Sequence, residues 1–242
     1  MLLVLHSFTF SGQIYAKFQY QASYSDKKYL TLQQTCKENV LALKTMAYIH
    51  LSVFASGSGT NCENLIRYFQ SSERIRVSLV VSNKADAQVL QRAQRLGVPT
   101  VVVPKADLGN PDVMMPLLRQ YQVDFIVLAG FLPLVPNYIV KAYPRRIVNI
   151  HPSLLPKYGG KGMWGHHVHE AVKAAGDSET GMTVHYVSDV CDGGEIIAQF
   201  KVALSPSDTP DDIAAKEHVL EMEHFPKVVE QVVLLSCQKT ET

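Results

Sequence analysis

What this sequence has little of narrows it first. No apolar run reaches the ~18 residues that span a bilayer, so no membrane-spanning helix is expected. Neither charge sign is in excess, with 23 Lys and Arg against 22 Asp and Glu. That balance removes any general attraction to nucleic acid or to an anionic membrane. Cysteine is scarce: the four, Cys36, Cys62, Cys191 and Cys237, include no C-x-x-C pair. Such scatter argues against a structural zinc site or a disulfide framework and fits a reducing cytosol. Leu2–Leu5 opens like a secretion signal, but no Lys or Arg precedes it and no small-x-small cleavage site follows. There is no internal repeat and no low-complexity tract.

What is present is ordinary globular composition, 47% hydrophobic and 19% charged over 242 residues. One domain of about 200 residues is expected. Residues 1–45 stand apart. Gln13–Tyr29 is rich in Tyr, Gln, Ser and Lys without a clear period, and Thr31–Leu43 has the pattern of a weak helix. Met46 directly precedes a strong strand pattern. Residues 1–45 are therefore expected to be a disordered extension or translated upstream sequence, with 46–242 as the functional domain. N-terminal sequencing of the native protein tests this.

From Ile49 onward short apolar runs alternate with helical periods. Strands are expected at 49–54, 77–81, 100–103, 125–129 and 146–150. Helices are expected at 61–69, 87–96, 111–121 and 136–142. This alternation predicts an α/β fold with a doubly wound, mostly parallel sheet. After Pro156 the pattern changes. A helix over 168–175 precedes strands near 183–187 and 195–204, joined through Asp189–Gly194, and these should form an antiparallel C-terminal unit. Residues 209–235 close the chain as one helix or two, with Pro226 interrupting.

Ligands of such sheets bind beyond the carboxyl ends of the strands. Three segments follow strands there: Ser56–Asn61, Gly130–Val135 and Asn149–Pro156. In the first, Gly57 and Gly59 let backbone approach a ligand, and Ser58, Thr60 and Asn61 add donors at a helix N-terminus, a favourable place for phosphate. It is neither G-x-G-x-x-G, since Cys62 takes the third glycine's place, nor a P-loop. A single phosphate suits it better than NAD or ATP. Read alone, it could equally be a plain strand-to-helix turn. In the third, Asn149 and His151 sit two apart on an extended segment and so face the same side. A carboxamide and an imidazole there suit a carbonyl that becomes an oxyanion. Asp192, before Gly193 and Gly194, offers a carboxylate in a tight turn. Beside His151 it would raise the imidazole pKa and keep the ring charged at neutral pH.

Five segments in order carry a resemblance. They are Ser56–Asn61, Ser82–Ala87, Leu128–Phe131, Asn149–Tyr158 and Asp192–Gly194. Together they resemble the phosphoribosylglycinamide formyltransferase family, from about Ile49 to Val233. The resemblance implies a Rossmann-like formyltransferase fold. It also implies transfer of a formyl group from 10-formyltetrahydrofolate to glycinamide ribonucleotide, with no metal. Its catalytic trio falls on Asn149, His151 and Asp192. Nucleotide binding falls on Gly59, Thr60, Asn61 and Glu221. Folate would lie against Leu132, Pro133, Leu134 and Val135 with Asn149, while Ser188, Asp189, Val190, Cys191 and Asp192 close over its pterin. The partners implied are small molecules only, in a cytoplasmic monomer or homodimer.

Two departures stand out. An Arg common in the family before the strand at Phe125 is missing from Asp107–Pro111. The usual Lys-Tyr-Pro-Gly is Lys157-Tyr158-Gly159-Gly160, followed by a longer loop to His167. In that loop His166, His167 and His169 raise a metal question. Adjacent histidines cannot easily share one ion, so a solvated helix start is expected, with Trp164 packed rather than stacking on a ligand. Two other activities stay open. One is hydrolysis of formyltetrahydrofolate, although residues 1–45 are short for the regulatory domain such enzymes carry. The other is a non-catalytic phosphosugar-binding module.

Overall fold

The computed structural model describes residues 48–238, together with Ser7–Phe10 (β1) and Gln13–Ala16 (β2). The chain divides into two compact units, 1–47 and 48–242. In the first, β1 and β2 pair antiparallel with Phe8 opposite Tyr15. These eight positions, Ser7–Phe10 and Gln13–Ala16, are the only ones described in this stretch. The helix expected over 31–43 lies outside the described residues.

The second unit holds a seven-stranded sheet in the order β5-β4-β3-β6-β7-β8-β9. Its strands are Ile49–Phe54 (β3), Ile75–Ser82 (β4), Thr100–Val102 (β5), Phe125–Leu128 (β6), Ile147–His151 (β7), Glu179–Tyr186 (β8) and Ile196–Ala203 (β9). The first five run parallel, and β8 is reversed, pairing antiparallel with both β7 and β9. The helices are Thr60–Phe69 (α1), Gln88–Arg95 (α2), Lys105–Leu108 (α3), Pro111–Gln120 (α4), Asn137–Ala142 (α5), His166–Ala175 (α6) and Pro210–Gln238 (α7).

Period-two alternation places the core on both faces. On one, Leu51, Val53, Phe125, Val127, Val148 and Ile150 pack with Leu65, Val89, Phe225 and Val229 from helices. On the other, Phe54, Leu79, Ile126 and Ile147 meet Met114, Leu118 and Ile139. Because Val148 and Ile150 belong to the first face, Asn149 and His151 belong to the second, at the strand's carboxyl end.

Two expectations change. β8 begins at Glu179, several residues earlier than the sequence pattern predicts, because its first half is buried against β9 and α7 rather than alternating in and out. Pro226 does not interrupt α7. A proline cannot supply the N–H that bonds the carbonyl four residues back. Here that carbonyl, of Met222, accepts instead from Asn64 Nδ2 at 2.8 Å. The side chain of α1 replaces the missing donor.

Candidate active site

A cleft of about 1450 Å³ opens where β3, β6 and β7 end. Ser56, just past β3, ties its walls together. Its N–H donates to Gly130 O at 2.9 Å, and its hydroxyl donates to Asn83 Oδ1 at 2.6 Å and accepts from Leu132 N at 2.9 Å. Gly59 then caps α1 at φ +79°, and a Cβ there would run into Val89. No side chain caps α1. Its first N–H groups are therefore left to an anion, which the helix dipole also favours. Cys62 is buried beneath, its thiol pushed up by burial to about 12, so it is inert. Lys84, Lys105 and Lys161 add positive charge along the cleft.

The Asn61 carboxamide turns away from this cradle. Its Nδ2 donates to Glu221 Oε2 at 2.8 Å, and His218 Nδ1 meets the same oxygen at 3.0 Å. That contact holds the His218 imidazole above its ordinary range. Only the backbone of Asn61 is left to the cradle, and its side chain belongs to the Glu221 end.

Asn149 and His151 project from β7 into the cleft, as their spacing predicts. The loop after them is pinned. Thr183 Oγ1 donates to Ser153 O and accepts from Leu155 N, and Gln199 Nε2 donates to Leu155 O at 2.9 Å. Sheet register sets Asn149 opposite His185, and Asn149 Nδ2 lies 3.1 Å from His185 Nε2. His185 Nδ1 faces Tyr186 O at 2.9 Å, so Nδ1 carries a hydrogen. One amide N–H of Asn149 faces that ring and the other is free.

Asp192 stands between the two imidazoles. Its Oδ2 is 3.7 Å from His151 Nδ1 and its Oδ1 is 3.7 Å from His185 Nε2. Gly160 N–H donates to Oδ2 at 2.8 Å. The backbone of Asp192 is left-handed, φ +51°. The turn also requires Gly194, where a Cβ would fall on the Tyr186 carbonyl oxygen. Burial alone would raise the Asp192 carboxyl, but His185, the Gly160 N–H and His151 outweigh it and hold the group below the ordinary carboxylate range.

His151 departs from expectation. Its ring is 4% exposed, and burial pushes its pKa down. Asp192 and the Tyr158 carbonyl pull the other way without overcoming it, and His185 adds to the lowering. At 3.7 Å the carboxylate is too distant to offset a desolvated ring. The imidazole is therefore neutral at pH 7, not charged. Its Nε2 lies 2.7 Å from Tyr158 O, so the neutral ring carries its hydrogen there.

The opposite wall is apolar and open. Leu134 is 72% exposed and Val190 61%, with Leu132, Pro133 and Val135 beside them. Ser188 Oγ closes a turn onto the Val190 backbone. Such a wall suits a flat heteroaromatic ring. Trp164 also lines the cleft, half exposed and edge-on to His167, so it is not packed inside as expected. His169, expected in a solvated helix start, is buried. Among the described residues, no three His, Cys, Asp or Glu side chains cluster as a metal site.

The formyl transferase family model matches residues 49–229, which include every feature above. The chain belongs to the formyl transferase family.

Among relatives of this chain is the chloroplastic phosphoribosylglycinamide formyltransferase of Arabidopsis thaliana. It is 40% identical over 78% of this chain and 65% of its own length. The phosphoribosylglycinamide formyltransferase of Haemophilus influenzae is 35% identical over 74% of this chain and 84% of its own. The crystal structure of the Anaplasma phagocytophilum phosphoribosylglycinamide formyltransferase superposes with a TM-score of 0.71 at 35% identity, covering 78% of this chain and 88% of that one. A family of this kind uses a folate-derived formyl donor. Sequence reasoning missed His185, Tyr158 and Gly160. His185 lies in a strand of mixed polar and apolar residues, so it does not stand out, and its partner depends on register between two strands far apart in sequence. The other two act through backbone groups, which no side-chain pattern reveals. No helix among the described residues is long and apolar enough to cross a membrane.

Proposed function

We propose that this chain transfers a formyl group from 10-formyltetrahydrofolate to the amine of glycinamide ribonucleotide in purine biosynthesis. The observation that carries the reading is the Asp192 carboxylate, 3.7 Å from His151 and from His185. It shares a cleft with an uncapped helix N-terminus and an exposed apolar wall.

The nucleotide phosphate docks on the N–H groups of Gly59, Thr60 and Asn61, and Glu221 receives the amine end. The donor lies along Leu132, Pro133, Leu134 and Val135, with Ser188, Asp189, Val190 and Cys191 over its ring. The amine nitrogen attacks the formyl carbon, and the carbonyl electron pair moves to oxygen. Two donors meet this oxyanion: the free N–H of Asn149, and the Nε2–H of His151 once it leaves the Tyr158 carbonyl. Each is worth roughly 3 kcal/mol of barrier. As the carbon–nitrogen bond of the donor breaks, one proton leaves the attacking amine and one reaches the departing nitrogen. A neutral His151 can relay it, and Asp192 stabilises the imidazolium formed in passing.

The test is turnover with both substrates, followed spectroscopically. Formyl transfer that requires the nucleotide is expected. Formate release without nucleotide would make the chain a hydrolase, and nucleotide binding without turnover would make it a binding module. A cytoplasmic monomer or homodimer completes the proposal. Fractionation and sedimentation test it, the more so because two plant relatives are named chloroplastic.

A further inference from the structure

Three buried polar atoms lining the cleft have no hydrogen-bond partner: Asn61 Oδ1, His169 Nδ1 and Glu217 Oε1. All three belong to side chains grouped around Glu221. Asn61 donates to it. The Glu221 charge acts on the His169 imidazole, which burial and His166 hold below its ordinary range. Glu217 lies one helical turn before Glu221 on α7, so the two project from one face.

Glu217 is 3% exposed. Two ionised carboxylates side by side out of water would repel strongly, and one proton between them removes that cost. Burial first, and then the Glu221 charge and contact, push the Glu217 carboxyl well above the usual range. Of the groups nearby, Glu221 acts on it directly, while Asn61, His218 and His169 gather around Glu221. The donors from Asn61 and His218 both fall on Glu221 Oε2, at 2.8 and 3.0 Å. Oε1 is left for Glu217 and for an incoming N–H.

We propose that Glu217 is a positioning residue for the amine end of the substrate: it carries a proton that ties it to Glu221, leaving the pair one negative charge to receive a primary amine. An ammonium has three N–H donors and no acceptor. Glu221 and the unpartnered Asn61 Oδ1 offer it acceptors, with the His169 ring beside them. The inference rests on the reading that the nucleotide's amine docks at Glu221, and extends it to a residue that resemblance did not assign.

The experiment compares Glu217→Gln with Glu217→Leu. Glutamine keeps the shape, the neutrality and a donor. Leucine keeps only the volume. Glutamine should hold the KM for glycinamide ribonucleotide within about 2-fold, whereas leucine should raise it about 5- to 10-fold. Both should keep the KM for the folate donor and kcat within about 2-fold of the unaltered protein. The inference is overturned if the two variants raise the nucleotide KM alike, if leucine leaves it unchanged, or if both substrates' KM values rise together. Should the leucine protein not fold, Glu217→Met takes its place under the same criteria. Absence of turnover in the unaltered protein would instead overturn the formyl-transfer reading. Activity with no difference between glutamine and leucine would overturn this inference alone.

Discussion

The strand-borne and loop-borne parts of this site are built on different principles. Asn149, His151 and His185 stand on β7 and β8, where the antiparallel ladder sets Asn149 opposite His185. Their spacing is fixed by the sheet and would survive loss of any one side chain. Asp192, Gly160 and Tyr158 reach the same point from two loops. Their positions depend on a few contacts: Gly160 N–H on Asp192 at 2.8 Å, Tyr158 O on His151 at 2.7 Å, and the Tyr158 hydroxyl on Asp177 at 2.9 Å. Both Tyr158 and Asp192 adopt left-handed backbone, φ +56° and +51°. The strand groups are placed by the sheet ladder, and the loop groups by a few side-chain and backbone contacts.

The largest effect should come from the strand. His151→Ala should lower kcat by about 10³-fold or more, while nucleotide affinity by calorimetry changes less than about 3-fold. An equal loss in both would move His151 from the chemistry to binding. Next comes the loop's backbone. Gly194→Ala drives a methyl group into the Tyr186 carbonyl. It should cost about 1–3 kcal/mol in denaturant unfolding and reduce kcat through a displaced Asp192. Unchanged turnover would mean that the turn tolerates movement.

A pH series sharpens the comparison further. His151 has a lowered pKa in the folded chain. As pH falls through the ordinary histidine range, the unfolded chain takes up the proton first, so stability should fall. Asp192, also lowered, contributes stability that is present above the usual carboxylate range and lost below it. Replacing His151 with Asn should flatten the slope between about pH 7 and 5.5. A slope that persists unchanged would assign it to other histidines. The smallest effect is at the rim. Tyr158→Phe removes only the hydroxyl contact with Asp177, and should change stability by less than about 1 kcal/mol and kcat by less than about 3-fold.

The same division explains what could be read from the chain alone. Alternating apolar runs are local, so the strands, the doubly wound class and the shared face of Asn149 and His151 were all legible. The two glycines at the start of α1 were legible, but the absence of a side-chain cap was not, because Ser58, Thr60 and Asn61 are all cap-forming residues and the Asn61 side chain goes to Glu221 instead. The protonation of His151 was not legible. It depends on how burial weighs against a carboxylate at 3.7 Å, and a sequence supplies neither quantity. Glu217 lay hidden for a similar reason. In the chain it is one more acid a helical turn before Glu221, and only the fold takes it out of water.

Asp192 and His151 are proposed to act as one unit across the strand and loop boundary. A double-mutant cycle in kcat, with His151→Ala, Asp192→Asn and both together, tests it most directly. If they are one unit, the double variant should be no more than about 3-fold slower than the slower single variant. A double variant whose loss equals the product of the two single losses would mean that the two groups act independently.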